Sequence, residues 1–181
     1  MKFKVQEIDE THIIKDFDCG LDSVNHFLKT EALQNNKDLL SKTYVVTQDR
    51  QKNVIAYITI CPHILSNNEI NYVINRKYSY KAPAILIAQL GVDKNFKGYN
   101  IGKSLICMCF EEIVKVSKYL NFFAVIVDAA NNDLIPYYEH QGFKSFRENK
   151  KRLYIKVKNI IDSYNLSRSI LQQVKNLFNI K

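Results

Sequence analysis

Residues 84–104 constrain this chain more than any other stretch. They read A-I-L-I-A-Q-L-G-V-D-K-N-F-K-G-Y-N-I-G-K-S. Ala84 to Val92 is an apolar run with β-branched members, bounded by Pro83 upstream and by Asp93-Lys94-Asn95 downstream. That is the pattern of a buried strand. Lys97 to Lys103 then turns, and Ser104-Leu105-Ile106 opens a helical pattern; the helix is expected from about Asn100 to Lys118. Strand, glycine-bearing turn and helix together aim free backbone N–H groups at an anion, since the helix dipole favours negative charge and glycine lets a phosphate come close. The same arrangement also serves a plain turn whose glycine supplies only φ > 0.

Around that unit the chain alternates strands and helices. Phe3 to Ile8 reads as a strand, Asp16 to Gly20 as a turn, and Asp22 or Ser23 as the cap of a helix running to about Asn35. The apolar face of that helix is Val24, Phe27, Leu28 and Ala32. Thr43–Thr47 and Val54–Cys61 form a hairpin around Asp49–Asn53, with the second strand ended by Pro62. Ser66 to Ala82 is polar and tyrosine-bearing without a clean period. It is expected to be a long loop with a short strand at Ile70–Ile74. Phe122 to Val127 is a further strand, followed by a short helix from Asn132 to His140 that Gly142 stops. Phe143–Arg147 and Arg152–Val157 make a final strand pair around a basic turn. Asn165–Asn179 is an amphipathic helix with Ile170, Leu171, Val174, Leu177 and Phe178 on one face, expected to pack on its own domain or on a second copy as a homodimer. The order predicts one α/β domain over residues 1–181 around a mixed sheet, with residues 158–181 as a C-terminal helical extension.

Composition narrows the setting. Hydrophobic residues make up 46% of the 181, with 11 Tyr and 10 Phe, enough for a sizeable core. No apolar run approaches the length of a membrane span and no signal peptide is visible, so a cytoplasmic protein is expected. Cys19, Cys61, Cys107 and Cys109 lack metal-ligand spacing, and no metal is expected. The net charge of +8 is uneven: residues 1–40 carry 5 Lys/Arg against 8 Asp/Glu, and the remainder 21 against 10. A basic body suits an anionic ligand such as a nucleotide cofactor or a nucleic acid, and equally suits ordinary solubilising lysine.

Two segments also resemble a known family. Lys97-Gly98-Tyr99-Asn100-Ile101-Gly102 is similar to the pyrophosphate loop Q/R-x-x-G-x-G/A of the GCN5-related N-acetyltransferases (GNAT). Lys97 replaces the usual Gln or Arg, and Asn100 the first glycine; Asn is the non-glycine residue that best tolerates left-handed φ. Val127 to Phe143, with Tyr138-x-x-x-Gly142-Phe143, resembles the family's second motif. Phe17-Asp18-Cys19-Gly20-Leu21 with Asn25-His26-Phe27-Leu28 looks like the opening of the GNAT toxins of bacterial toxin–antitoxin pairs. Those enzymes acetylate the amino group of aminoacyl-tRNA.

The resemblance implies the GNAT fold, a central mixed, mostly antiparallel sheet flanked by helices. It implies acetyl-CoA as cosubstrate, an aminoacyl-tRNA acceptor and an antitoxin partner. It places the pyrophosphate on backbone N–H groups of Lys97, Gly98, Tyr99, Asn100, Ile101, Gly102 and Lys103. Leu90, Gly91 and Val92, at a β-bulge that Gly91 permits, hold the pantetheine arm and polarise the thioester. Asn131 either bonds that arm or caps the short helix. Tyr138 is either the general acid that protonates the departing sulfur or a core tyrosine, and Tyr137 packs beside it. Lys144, Arg147, Lys150, Lys151 and Arg152 either grip RNA phosphates or form a solvated hairpin. His26, His140, Glu111 and Glu112 read as solvent-facing helical positions, and Cys19 lacks the partners of a nucleophile. Two rival functions stand: acetylation of a small amine, peptide or protein N-terminus, and a coenzyme A-binding regulatory module with little turnover, which Asn100 motivates.

Overall fold

Sheet pairing follows from the alternation of the strands. The computed structural model describes residues 2–77 and 79–177, the side chains of 168–177 excepted. In chain order the elements are β1 (Phe3–Glu7), α1 (Asp22–Thr30), α2 (Ala32–Lys37), β2 (Lys42–Gln48), β3 (Val54–Leu65), α3 (Asn67–Ile74), β4 (Ala82–Val92), α4 (Ile101–Val116), β5 (Ala124–Asp128), α5 (Ile135–Glu139), β6 (Lys144–Ser145), β7 (Arg152–Lys156) and α6 (Val157–Leu177). The seven strands form one sheet in the order β1-β2-β3-β4-β5-β7-β6. Every pairing is antiparallel except β4 with β5, which is the α/β crossover through α4.

The two faces of the sheet bury different helices. Ile58, Ile85, Ile87, Val125 and Val127 pack against Leu105, Ile106 and Ile113 of α4 and Ile160 of α6. Val45 and Tyr57 pack on the other face against Phe17 and on Val24 and Leu28 of α1. Ala84, Ala124 and Ile126 pack on Ile70 and Val73 of α3.

Several elements differ from expectation, each for a local reason. The segment after Ser66 is a helix, not a loop with a strand. Ser66 accepts from the Glu69 backbone N–H while the Glu69 carboxylate accepts from the Ser66 backbone N–H, a capping box that starts α3. β3 runs through Pro62 to Leu65. β2 stops pairing at Ile60, so beyond it β3 pairs β4 alone and one side of it lies open, which is where a strand tolerates proline. α1 starts after Leu21 with no side-chain cap, so neither Asp22 nor Ser23 caps it, and it ends at Thr30, with α2 following. α6 begins at Val157, directly after β7, and packs on α4 through Ile160, Ile161 and Tyr164. The stripe Ile170, Leu171, Val174, Leu177 and Phe178 lies outside the described side chains. Among the described residues no helix is long and apolar enough to cross a membrane.

Candidate active site

β4 and β5 pair from Ala84–Ala124 to Ile87–Val127, and from Gln89 onward the side of β4 facing β5 has no strand partner among the described residues. A bulge makes the break. Thr59 pairs with Gln89 but Ile60 with Ile87, which leaves Ala88 as the extra residue. The bulge therefore falls at Ala88 and not at Leu90-Gly91-Val92, as the sequence suggested. Gly91 pairs regularly with Tyr57, and its glycine has another cause. A Cβ there would lie 3.0 Å from carbons of Phe17, Tyr57 and Val24. The glycine lets α1 and the Phe17 segment close down on β4.

A cleft of about 540 Å³ opens at this splay. Its floor is Leu90, Gly91 and Val92. One wall is Lys97, Gly98 and Asn100 through Lys103; another is Asn131, Leu134, Tyr137 and Tyr138. Cys19, Gly20 and Leu21 close a third side. The structure thus brings Tyr138, Asn131 and the expected loop residues to one place, with one exception. Tyr99 is half-exposed, lies outside the cleft lining, and packs edge-on to Phe3 and against Phe96.

The loop keeps its shape despite the missing glycine. Asn100 sits at φ 58° and ψ 17°, the left-handed conformation that Asn tolerates, and is the N-cap of α4. It makes no side-chain cap bond, so the N–H groups of Ile101, Gly102 and Lys103 have no hydrogen-bond partner among the described residues. Those free donors, with Lys97 and Lys103 on the same wall, form an anion-holding end of the cleft. The residues present fit the pyrophosphate of coenzyme A.

The Cys19–Leu21 wall is held by one carboxylate. Asp18 accepts from Lys94 Nζ, from Asn25 Nδ2 and from the Gly20 N–H, each at 2.9 Å. The Lys94 bond, the Gly20 N–H and Asn25 hold the Asp18 carboxyl far below the usual carboxylate range. Its backbone N–H donates to Asp93 Oδ2 at 3.0 Å, which fastens the loop to the end of β4. The sequence marked Phe17 to Leu21 as a likeness without giving it a place in the site. Its two cues were the Asp18-Cys19-Gly20 turn and Asn25, seven residues after Asp18. The Cys19 thiol is buried against this wall and its pKa is pushed up by burial, so it is a packing group.

Tyr138 is 5% exposed, at the end of the short helix α5, with its ring edge-on to Phe143 and to Tyr137. Burial, and after it the neighbouring Tyr137, raises its phenol well above the ordinary value. Its hydroxyl has no hydrogen-bond partner among the described residues. Among those residues Ser41 Oγ is the one fully buried side-chain polar atom without a partner, so the Tyr138 hydroxyl opens onto the cleft it lines. Asn131 caps the turn before α5 through Oδ1, at 3.2 Å from the Leu134 N–H, and still lines the cleft.

The basic cluster divides. Lys144, Arg147, Lys150 and Lys151 are exposed and have no ion-pair partner among the described residues. Arg152 is engaged elsewhere. Its guanidinium donates to Glu69 Oε1 and Asp128 Oδ2 at 2.7 Å each, and to His63 Nε2 at 2.6 Å. It ties β3, α3, β5 and β7 together and is not a free phosphate ligand. Burial, then Arg152, lowers the His63 pKa, which suits an imidazole that accepts from an arginine.

No family model matches the chain. It is 23% identical over 153 residues to a probable toxin TacT of Sinorhizobium fredii (strain NBRC 101917 / NGR234), covering 80% of this chain and 84% of that one. It is 21% identical over 139 residues to a tRNA-acetylating toxin of Mycobacterium tuberculosis (strain ATCC 25618 / H37Rv), covering 77% and 82%. Among solved structures, AtaT complexed with acetyl-methionyl-tRNAfMet superposes with a TM-score of 0.80 at 18% identity, over 90% of this chain and 99% of that one. The chain is similar in sequence to these two toxins and shares the GNAT fold of AtaT. The β4–β5 splay, the α4 N-terminus and α5 converge on this one cleft. A tyrosine-to-phenylalanine mutant of AtaT has also been solved bound to acetyl-CoA and the C-terminus of the antitoxin AtaR.

Proposed function

We propose that this chain transfers an acetyl group from acetyl-CoA to the amino group of an aminoacyl-tRNA, as the toxin of a toxin–antitoxin pair. The observation that carries the reading is the single cleft that joins an anion-holding helix N-terminus to the unbonded, cleft-facing hydroxyl of a buried tyrosine across the unpaired side of β4. The acceptor rests on the likeness to the tRNA-acetylating toxin and to AtaT, whose solved complex holds acetyl-methionyl-tRNAfMet. An antitoxin partner rests on the AtaT complex with AtaR.

Acetyl-CoA supplies the acetyl thioester. The N–H groups of Ile101, Gly102 and Lys103, with the ammonium groups of Lys97 and Lys103, hold its pyrophosphate. The unpaired side of β4 from Gln89 to Val92 offers backbone groups to the arm and to the carbonyl oxygen on which charge develops. Asn131 Nδ2 is left for the arm while Oδ1 caps. Tyr138 keeps its proton at neutral pH because burial disfavours the phenolate; as the amine nitrogen bonds the carbonyl carbon and the C–S bond breaks, it gives that proton to the departing sulfur, and the proton that the amine loses restores the phenol. The exposed Lys144, Arg147, Lys150 and Lys151 contact the tRNA backbone. Asn100 in its left-handed conformation keeps the shape of the anion-holding loop.

The test is acetylation by purified protein of a panel of aminoacyl-tRNAs beside a panel of free amines and peptides. Acetyl transfer to one or more charged tRNAs, with free amines slower by orders of magnitude, is expected. Equal rates with the free amine panel would overturn the tRNA assignment, and no turnover on either panel would overturn the enzyme reading.

A further inference from the structure

The second wall of the cleft carries a hydroxyl that no step above uses. Tyr137 precedes the proposed acid, lines the cleft, and was expected only to pack. Its hydroxyl oxygen lies 2.7 Å from the point where a Cβ on Gly102 would sit. Gly102 has no left-handed φ, so the backbone conformation does not demand a glycine there. What demands it is the tyrosine: the hydroxyl occupies the space of the missing side chain, against the Cα that carries one of the free N–H donors of α4. The hydroxyl has no hydrogen-bond partner among the described residues and, like that of Tyr138, is not a fully buried orphan. The ring is fixed by the edge-on contact with Tyr138, at 5.3 Å between centroids.

We propose that the Tyr137 hydroxyl is an additional hydrogen-bond donor to the pyrophosphate held at the N-terminus of α4. The inference rests on the acetyl-CoA reading given above. An anion seated on the Gly102 N–H lies next to this oxygen, and the hydroxyl then finds the partner it lacks. Burial pushes the phenol up to about 12, so the group remains protonated, and a donor, across the neutral range. The hydroxyl supplements a loop whose first glycine is Asn100. A hydroxyl bond to a charged oxygen belongs to the stronger class of hydrogen bonds.

The experiment compares Tyr137→Phe with wild type on two ligands, acetyl-CoA and S-acetylpantetheine, which lacks the pyrophosphate. For acetyl-CoA the calorimetric Kd and the KM are expected to rise about 10- to 100-fold, with kcat within twofold of wild type. The affinity for S-acetylpantetheine is expected to be unchanged. Unchanged acetyl-CoA affinity, or an equal loss on both ligands, would overturn the inference. A double-mutant cycle adds a check on geometry: Gly102→Ala should weaken acetyl-CoA binding less in the Tyr137→Phe background than in wild type, because the clashing oxygen is gone. Additive losses would place the hydroxyl elsewhere. Wild-type protein that binds no acetyl-CoA would overturn the proposed function itself, whereas wild-type binding with an unaffected Tyr137→Phe variant overturns this inference alone.

Discussion

Replacing Tyr138 by Phe removes one oxygen and keeps the ring. The structure sets the cost to stability. The ring contacts with Tyr137 and Phe143 survive, and the hydroxyl has no hydrogen bond within the described protein, so no buried partner is stranded. The change in stability should stay under about 1 kcal/mol, or roughly 2–4 °C in Tm for a chain of this size. The cost to catalysis is of another order. If that hydroxyl protonates the departing sulfur, kcat should fall about 10²- to 10⁴-fold while the Kd for acetyl-CoA changes little, since the bond matters only in the transition state. The pH profile adds a sign. Burial raises the Tyr138 pKa, so the protonated acid persists through neutral pH, and the wild-type rate should show no falling limb until the pH passes the ordinary phenol value of about 10. Single-turnover acetylation of a charged tRNA, followed from pH 6 to 10, measures both quantities. Near-normal turnover by Tyr138→Phe, with intact melting and binding, would refute the assignment and leave Tyr138 as a packing residue.

Three further outcomes follow from the geometry. Gly91→Ala should destabilise by about 1–3 kcal/mol, read as a lower Tm, because three packed side chains must move; Val24→Ala in the same background should recover part of the loss, and an unchanged Tm would deny the close packing of α1 on β4. His63 has a folded pKa lowered by burial and by Arg152, so its contribution is present above about 6.5 and is lost as pH falls below that value. Thermal melts should therefore weaken from pH 7 to 5.5, and His63→Gln should lose that part of the slope; an identical slope in the variant would show that His63 does not carry it. Lys144, Arg147, Lys150 and Lys151 changed together to Ala should weaken RNA binding and flatten its salt dependence by about 0.7–0.9 per lost phosphate contact, with little change in acetyl-CoA affinity; equal loss of both would indicate damaged folding.

The strand–loop–helix at 84–104 was legible because its signal is local: an apolar run, a polar turn, a helical period. The placement of Tyr138 beside the cleft was implied by the likeness of Tyr138-x-x-x-Gly142-Phe143 to the family's second motif. What the sequence hid was set by distant partners. The Ala88 bulge depends on how β3 registers against β4, and no residue near Ala88 announces it. Gly91 looked like the bulge residue, yet its glycine answers to Phe17, Val24 and Tyr57, which come from two other parts of the chain. Arg152 looked like part of a basic run until Glu69, Asp128 and His63, far away in sequence, took all three of its nitrogen arms. The α3 helix is a different case. Ser66 and Glu69 were a readable start signal, followed by Ile70, Val73 and Ile74 at helical spacing, but the polar and tyrosine-rich surroundings masked a run of only eight residues.

Asn100 carries a consequence of its own. A glycine at that position would visit φ above and below zero almost equally, and a ligand needing one shape would meet it only part of the time. An asparagine explores fewer shapes, and here it stands in the left-handed one. The apparent affinity of any such loop is its intrinsic affinity scaled by the fraction of molecules already in the competent conformation. Asn100→Gly should then leave the fold almost untouched, since the lower native strain and the freer unfolded chain act in opposite directions at about 0.4–1 kcal/mol. The residue that breaks the glycine pattern thereby narrows the ensemble from which an anion must choose.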